Sequence, residues 1–514
     1  MTEIEAKFII RRPEQVEDAM RAFSARAFKV TEHGTTAHLD RYLDTPDWSL
    51  LRAGWACRVR RRGGEAKLTL KSLHGPEGHV FAREEINQPL PAAGEDEPVL
   101  FPPGPAQETL SGISNDMPLV ELFRVMTERT VFLATGAGPD DSLRLELDLD
   151  RTRIEAEKRT EKATGILEFT ELELELISGS PAELESVVTW LRDDAGLMPA
   201  KYSKFERGLQ AAGLEFESIL QPSVTPPPDE DDPVLVLLYR YLEEQLQIIR
   251  RQHPRALEGV DPEGVHQMRV ASRRLRTVLK AFRGIVDDGV VAHFNTELRW
   301  LAQNLGRARD ADVTEKSARE SEAVSADHYE DYLAQATIDA YEHLVDILES
   351  ERCSTLEDEL TAFIESGPAG DMREQHGGLS IAACAEMLIG AALARLLTHG
   401  DAIDEDSPPR QLHKLRIEAK RFRYLLDFFS TVQADRWLAT TEAVKRIQDV
   451  LGEHQDAVTA QAHLADYAAS IPSGDSGQEK LLETARLLQN EAVRIATSRE
   501  QFATAWSDFK AMVT

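Results

Sequence analysis

The chain has 514 residues, with 59 Lys+Arg against 89 Asp+Glu and a formal net charge of −30. The length predicts more than one domain, and 42% hydrophobic with 29% charged residues excludes a disordered chain. The acidic excess argues against a general binder of duplex nucleic acid. Three widely separated cysteines, Cys57, Cys353 and Cys384, exclude a disulfide scaffold and fit a reducing cytoplasm.

In chain order, residues 2–10 alternate apolar and charged side chains, as a strand does. No basic flank or apolar run of a signal peptide precedes them. A helical pattern covers 13–28, and further alternating runs predict strands at 55–62, 66–72, 79–87, 143–150 and 168–177, with a helix at 181–195. Residues 91–118, rich in Pro, Gly and acids, predict an irregular connection. Gln221 to Pro233 reads QPSVTPPPDEDDP, a stiff, solvated linker. Beyond it strand signals stop and long amphipathic helices take over. The apolar stretch Ser380 to Leu397 carries Glu386 and Arg395, so it reads as a buried helix and not a membrane span. The expected architecture is an α+β multidomain chain: a strand-rich domain over 1–212, a linker over 213–233 and an all-α domain over 234–512.

The strands carry charge on one face. Glu3, Glu5 and Lys7 oppose Ile4, Ala6 and Phe8; Arg58, Arg60 and Arg62 oppose Cys57 and Val59; Lys67 and Lys71 oppose Leu68 and Leu70. Arg83 and Glu85 share a face, as do Glu146, Asp148 and Asp150, and Glu171, Glu173 and Glu175. Like charges stacked on an open sheet are destabilising. A closed barrel with a charged interior and an apolar exterior under helices explains the set better. Cations would grip phosphoryl oxygens, and carboxylates would hold Mg²⁺ or Mn²⁺.

Several blocks together resemble the CYTH family, the triphosphate tunnel metalloenzymes. They are Glu3-Ile4-Glu5-Ala6-Lys7, Tyr42-Leu43-Asp44-Thr45-Pro46, Cys57-Arg58-Val59-Arg60, Leu68-Thr69-Leu70-Lys71, Arg83 with Glu85, Glu128-Arg129, Glu171 through Leu176, and Lys201-Tyr202-Ser203-Lys204-Phe205. The resemblance spans 1–210. It implies an eight-stranded antiparallel tunnel that hydrolyses a triphosphate. It further implies metal ligands at Glu3, Glu5, Glu171 and Glu173, with Asp148 or Asp150 adding an acid near the metals. Glu5, Glu171, Glu173 and Lys7 would be the catalytic set. Lys7, Arg58, Arg60, Lys71, Arg83, Arg129 and Lys204 would bind phosphate. Two ions, Mg²⁺ or Mn²⁺, would orient the phosphates and activate water.

The helical half contains a repeat. Residues 265–282, VHQMRVASRRLRTVLKAF, match 412–429, LHKLRIEAKRFRYLLDFF. LGRARDA at 305–311 matches LGEHQDA at 451–457. On a helical wheel His266, Arg269, Arg273, Arg276 and Lys280 form one stripe, and His413, Arg416, Lys420 and Arg423 form its counterpart. Asp427 stands in the place of Lys280, so that end predicts weaker anion binding. Arg274 and Arg421 lie off the stripes and predict interhelical ion pairs. A cation per turn with few acids predicts a linear polyanion as partner.

These blocks resemble the CHAD family, the conserved-histidine alpha-helical domains. That resemblance implies two pseudo-symmetric helical bundles that bind inorganic polyphosphate through His266, Arg269, Arg273, Arg276, His413, Arg416, Lys420 and Arg423. Together the two resemblances point to bacterial CYTH–CHAD inorganic triphosphatases. The implied partners are inorganic triphosphate and inorganic polyphosphate, without duplex nucleic acid or membrane. The implied location is the cytoplasm, with association to polyphosphate granules as an option. An oligomer is possible but not indicated. The alternatives are an inactive polyphosphate-binding protein, thiamine-triphosphate hydrolysis, or cyclisation of ATP.

Overall fold

The computed structural model describes residues 2–513 apart from 74–79, 92–100, 116, 137–142, 161–162, 217–218, 220–227, 321–326, 368–378, 405 and 472–474. Most of the Pro-rich linker and the start of the 91–118 connection lie outside the described residues. The chain divides into two compact units, Met1–Val224 and Thr225–Thr514.

The first unit is a closed antiparallel barrel of eight strands. These are β1 (Thr2–Ile10), β2 (Phe28–Asp44), β3 (Trp55–Arg62), β4 (Glu65–Ser72), β5 (Val80–Leu90), β6 (Val120–Gly136), β7 (Arg144–Ala156) and β8 (Ile166–Ser178). Their order is β5-β4-β3-β2-β6-β7-β8-β1, and β1 closes on β5 through pairs such as Glu3↔Arg83. A two-residue strand, β9 (Met198–Pro199), adds to β1. Alternation had located every barrel strand except β2 and β6. The first ten residues of β2 are almost all exposed or half-exposed, so neither face is buried and no alternation is selected. Register shifts at Glu32/Gly34 and Tyr42/Leu43 break the period further.

The barrel is apolar outside. Phe8, Leu145, Leu147, Leu172 and Leu174 pack against Ala19 and Phe23 of α1 (Glu14–Ala25) and Leu184, Val187 and Leu191 of α4 (Pro181–Ala195). Elsewhere Val59, Leu68 and Leu70 pack against Leu50 of the short α2 (Ser49–Arg52) and Ala106 and Leu110 of α3 (Pro105–Ser114). Helix α3 corrects the expected irregular connection over 91–118; a proline in its first turn suits a helix start. Helix α5 (Lys204–Ala211) starts at a Ser203–Glu206 capping box, and its Phe205 packs against Tyr42 and Phe123. Gly208 lets α5 approach β6.

The second unit is helical: α6 (Val234–Glu258), α7 (Pro262–Ala281), α8 (Asp288–Glu320), α9 (Asp327–Leu348), α10 (Glu351–Ser366), α11 (Ile381–Gly400), α12 (Pro409–Ser470) and α13 (Asp475–Val513). Helix α12 breaks at Gln433, where the backbone leaves helical geometry. The apolar sides of both predicted stripes are buried: Met268, Leu275, Val278 and Leu279 in α7, and Leu415, Phe422, Leu425 and Leu426 in α12. Helix α11 is long and apolar enough to cross a membrane by length and composition. Its Ile381, Cys384, Ala385, Ile389 and Leu396 nonetheless join the helical core. The end of the expected linker is held in place, because Val234 N–H donates to Leu379 O at 3.0 Å and Ile381 N–H to Asp232 O at 3.0 Å.

A Cβ at Gly208 would lie 2.1 Å from the Phe123 ring, whereas one at Gly112 in α3 meets nothing within 4 Å. Gly208→Ala is therefore expected to destabilise the barrel by roughly 1–3 kcal/mol. Gly112→Ala should stabilise it by about 0.5–1 kcal/mol. Urea-unfolding midpoints of the two variants check this; equal midpoints would show that α5 does not need the close approach.

Candidate functional site: a charged tunnel and a cationic groove

Barrel closure turns the charged faces of the strands inward. On β7 and β8, Asp150 and Asp148 stand opposite Glu171 and Glu173. One oxygen each from Asp150, Glu171 and Glu173 lies within 4.8 Å of the others, and all three residues are buried. Lys204, at the start of α5, points into this cluster. Its Nζ is 2.8 Å from Asp150 Oδ2 and 2.9 Å from Glu173 Oε1, and it also contacts Glu171. Arg129 on β6 donates to Asp150 through Nε at 2.7 Å and to Glu173 through Nη2 at 2.6 Å, and bonds Asp148 as well. Lys7 on β1 pairs with Glu173 and, at 3.0 Å, with Glu5. Glu173 thus receives three cations from three different elements.

A second group continues around the wall. Lys71 pairs with Glu3, with Glu5 at 3.2 Å and with Glu85 at 3.3 Å. Arg83 lies 3.9 Å from Glu5. Arg60 grips Asp40 with two bonds of 2.7 Å, and Arg58 lies 3.8 Å from the same carboxylate. These side chains leave a free space of about 70 Å³ between them.

Burial and neighbouring charge compete at each carboxyl. Burial pushes Glu5 up, but Lys7 and Lys71 outweigh it and hold it at about 2. Glu173 is likewise driven well below the usual carboxylate range, since Lys204, Lys7 and Arg129 overcome its burial. Asp40 falls under the pull of Arg60 and Arg58 despite complete burial. Two acids go the other way. Burial pushes Asp148 up to about 7, with Arg129 opposing and Glu173 adding to it. Burial and the facing Glu3 push Glu175 up to about 7. Glu171 is also raised, by burial that Lys204 does not cancel.

The carboxylates and cations expected to bind metal and phosphate face this interior. Of the Asp148/Asp150 pair, Asp150 joins the three-carboxylate cluster; Asp148 spends one oxygen on Arg129, and its Oδ1 is buried without a hydrogen-bond partner. Arg62 lies at one end of the barrel, in a separate cavity of about 970 Å³ that Met126, Thr127, Arg151, Thr152 and Phe169 also line. Sequence reasoning missed Asp40 and His38. Both share a face with Tyr42, and counting back by two from Tyr42 would have found them. His38 is kept neutral, its pKa pushed down to about 3 by burial and by Arg60.

In the helical unit parts of the two stripes come together, while His266, Arg269 and Arg423 are not among the residues that line the shared groove. Arg273, Arg276 and Lys280 of α7 and His413, Arg416 and Lys420 of α12 line one groove of about 790 Å³. Arg299 of α8 and Arg395 of α11 line it too, and no repeat pointed to them. Burial, then Arg416, Arg273 and Arg269, push Lys420 down to about 6. Burial, then Arg309 and Arg269, push His266 down to about 4, so it is neutral near pH 7. The second repeated block supports the first. A Cβ at Gly306 would lie 3.5 Å from the Arg269 guanidinium, and one at Gly452 lies 4.0 Å from that of Arg416. Asp310 bonds Arg269 at 2.9 Å. Arg274 bridges to Asp427 of α12 at 3.6 Å, as expected of an interhelical pair, and Arg423 lies 3.9 Å from the same carboxylate. Arg421 differs from expectation, pairing with Glu418 one turn back on its own helix.

Residues 1–209 match the family model of the CYTH domain, and residues 240–465 match that of the CHAD domain. The chain is a CYTH domain joined to a CHAD domain. An uncharacterized protein of Mycobacterium tuberculosis is 28% identical over 493 residues, 92% of this chain and 90% of the relative. Among solved structures, the CHAD domain from the plant Ricinus communis is 26% identical, with a TM-score of 0.46 over 55% of this chain and 97% of that one. A Hippeastrum protein described as an adenylyl cyclase with a dominant triphosphatase activity is 17% identical, with a TM-score of 0.28 over 41% of this chain and 96% of that one. The CYTH domain supplies the charged tunnel, and the CHAD domain supplies the groove.

The raised Asp148 has a consequence for stability. Its folded-state proton is held more tightly than the unfolded one, so it contributes stability at low pH that is lost as pH rises from about 4 to 7. Asp148→Asn removes this loss. Its melting temperature is expected to gain on the wild type between pH 5 and pH 8. Thermal melts at both values check it, and a gap that does not move would remove the assignment.

Proposed function

We propose that the CYTH domain hydrolyses inorganic triphosphate to pyrophosphate and phosphate with Mg²⁺ or Mn²⁺, and that the CHAD domain binds inorganic polyphosphate in the cytoplasm. The observation that carries the first part is the convergence of Lys7, Arg129 and Lys204 on the buried acids Asp150, Glu171 and Glu173. Closely spaced buried carboxylates repel one another, and here ammonium and guanidinium groups offset them. Carboxylate oxygens are the donors that Mg²⁺ and Mn²⁺ prefer. Asp150, Glu171 and Glu173 would hold such an ion, with Glu3 and Glu5 on the adjoining wall. The ion would supply positive charge at the phosphates and an activated water.

The chain's own residues do the rest. Lys7, Arg58, Arg60, Lys71, Arg83, Arg129 and Lys204 exchange their carboxylate partners for phosphoryl oxygens when substrate enters. Arg129 and Arg60 present planar forks suited to two oxygens at once. The closed wall limits water, so each contact is stronger than at a surface. An organic triphosphate is the second reading, and the cavity beside Met126 and Phe169 is the one observation in its favour. Phosphate release from triphosphate, ATP and thiamine triphosphate separates the two readings. Glu171→Gln and Glu173→Gln are each expected to lower triphosphate turnover by at least about 100-fold, given the 10–100-fold typical of outer-shell changes. Undiminished turnover would dismiss both as metal ligands.

The groove supports the second part. Arg273, Arg276, Lys280, Arg416 and Lys420 line one groove, and burial, then Arg416 and Arg273, lower the proton affinity of Lys420, an arrangement that an anion would relieve. A phosphate chain can follow α7 and α12 and touch cations of both. Replacing Arg269, Arg273, Arg416 and Arg423 together by Ala is expected to abolish polyphosphate binding by the full-length protein, while wild-type binding weakens steadily with salt. Retention by the quadruple variant would make the stripes structural.

A further inference from the structure

A third cluster in the helical unit lies apart from the cationic groove. His253 of α6 meets Cys353 and Glu357 of α10. Residues 353 and 357 are four apart, so one helix face presents both side chains one above the other. An imidazole nitrogen, the Cys353 Sγ and a Glu357 oxygen all lie within 4.8 Å of one another. His253 Nδ1 is already 3.1 Å from Glu357 Oε1. Cys353 is fully buried in the helical core, while His253 and Glu357 keep 22% and 19% of their side-chain surface. The sulfur therefore forms a floor, and the nitrogen and oxygen form a rim open to water.

We propose that His253, Cys353 and Glu357 bind one Zn²⁺ ion that ties α6 to α10. The donor set selects the metal. Sulfur and imidazole nitrogen suit Zn²⁺ and are poor ligands for Mg²⁺ or Ca²⁺. Zinc bonds of about 2.0–2.3 Å in a tetrahedron place ligand atoms roughly 3.3–3.8 Å apart, a small side-chain adjustment from the spacing seen. Charge also balances. A thiolate and a carboxylate neutralise the ion, so the filled site adds no net charge to a half-buried helix interface. Cys353 sits in the first turn of α10, three residues after the N-cap Ser350; burial and the nearby Glu357 push its thiol up to about 12, so the bound ion itself would have to displace the proton. Water on the open rim completes the four ligands. This site is independent of the triphosphate and polyphosphate readings, and neither needs it.

The tunnel carboxylates could also take up a divalent ion, so total metal content is a poor test. Cobalt(II) substitution of the full-length protein resolves them, because only a thiolate ligand gives a sulfur-to-cobalt charge-transfer band. The expected result is a band that saturates at one Co²⁺ and is displaced by Zn²⁺. It should be lost in Cys353→Ser and retained in Cys57→Ser and Cys384→Ser. His253→Ala, at a partly exposed position, should weaken Co²⁺ binding at least about tenfold while leaving the far-UV circular dichroism unchanged. Absence of the band in the wild type, or a band of unchanged affinity in His253→Ala, overturns the proposal.

Discussion

The structure of the first unit depends on one constraint: charges enclosed in a barrel must be neutralised inside it. An ion removed from water and left unpaired costs about 3–5 kcal/mol when its partner is deleted. The barrel meets the constraint by placing opposite charges on neighbouring strands, or on strands one apart in the barrel order. Arg60 holds Asp40, Arg129 holds Asp150 and Glu173, and Lys71 holds Glu3 and Glu5. The apolar half of each strand then has to face outward, and α1, α3 and α4 cover it. A strand such as Glu171–Leu176 is consequently buried on both faces for opposite reasons.

The helical unit handles its cations differently. Arg273, Arg416 and Lys420 gather along one groove with fewer acids than cations among the residues that line it. Lys420 and His266 both show this, since burial and then the neighbouring cations lower their affinity for a proton. An internally paired tunnel opens its ion pairs to receive a ligand. A groove of like charges gains by receiving one. The two units of the chain thus arrange their cations in opposite electrostatic ways, and the net charge of −30 describes neither.

Much of this was legible along the chain. Alternation in segments such as Ile4–Phe8 and Leu172–Leu176 is a local property, set by which face of a strand meets a core, so it shows in sequence. The repeat that links Arg269 to Arg416 is equally local, since helix phase alone aligns the cations. The first ten residues of β2 were not legible, because both faces of that ribbon meet solvent and no period is imposed. Helix α3 was hidden in a Pro- and Gly-rich segment, where tertiary packing of Ala106 and Leu110 overrides composition.

The sequence by itself determined the division into a strand-rich and a helical part, the inward charge of the barrel and the two basic stripes, because period and residue type are enough for each. Tertiary structure alone decided which charges meet. It chose Asp150 over Asp148 for the carboxylate cluster, because cross-strand register and the reach of Lys204 from a distant helix are long-range facts. It also brought His253 to Cys353 and Glu357, residues one hundred positions apart whose proximity exists only once α6 packs on α10.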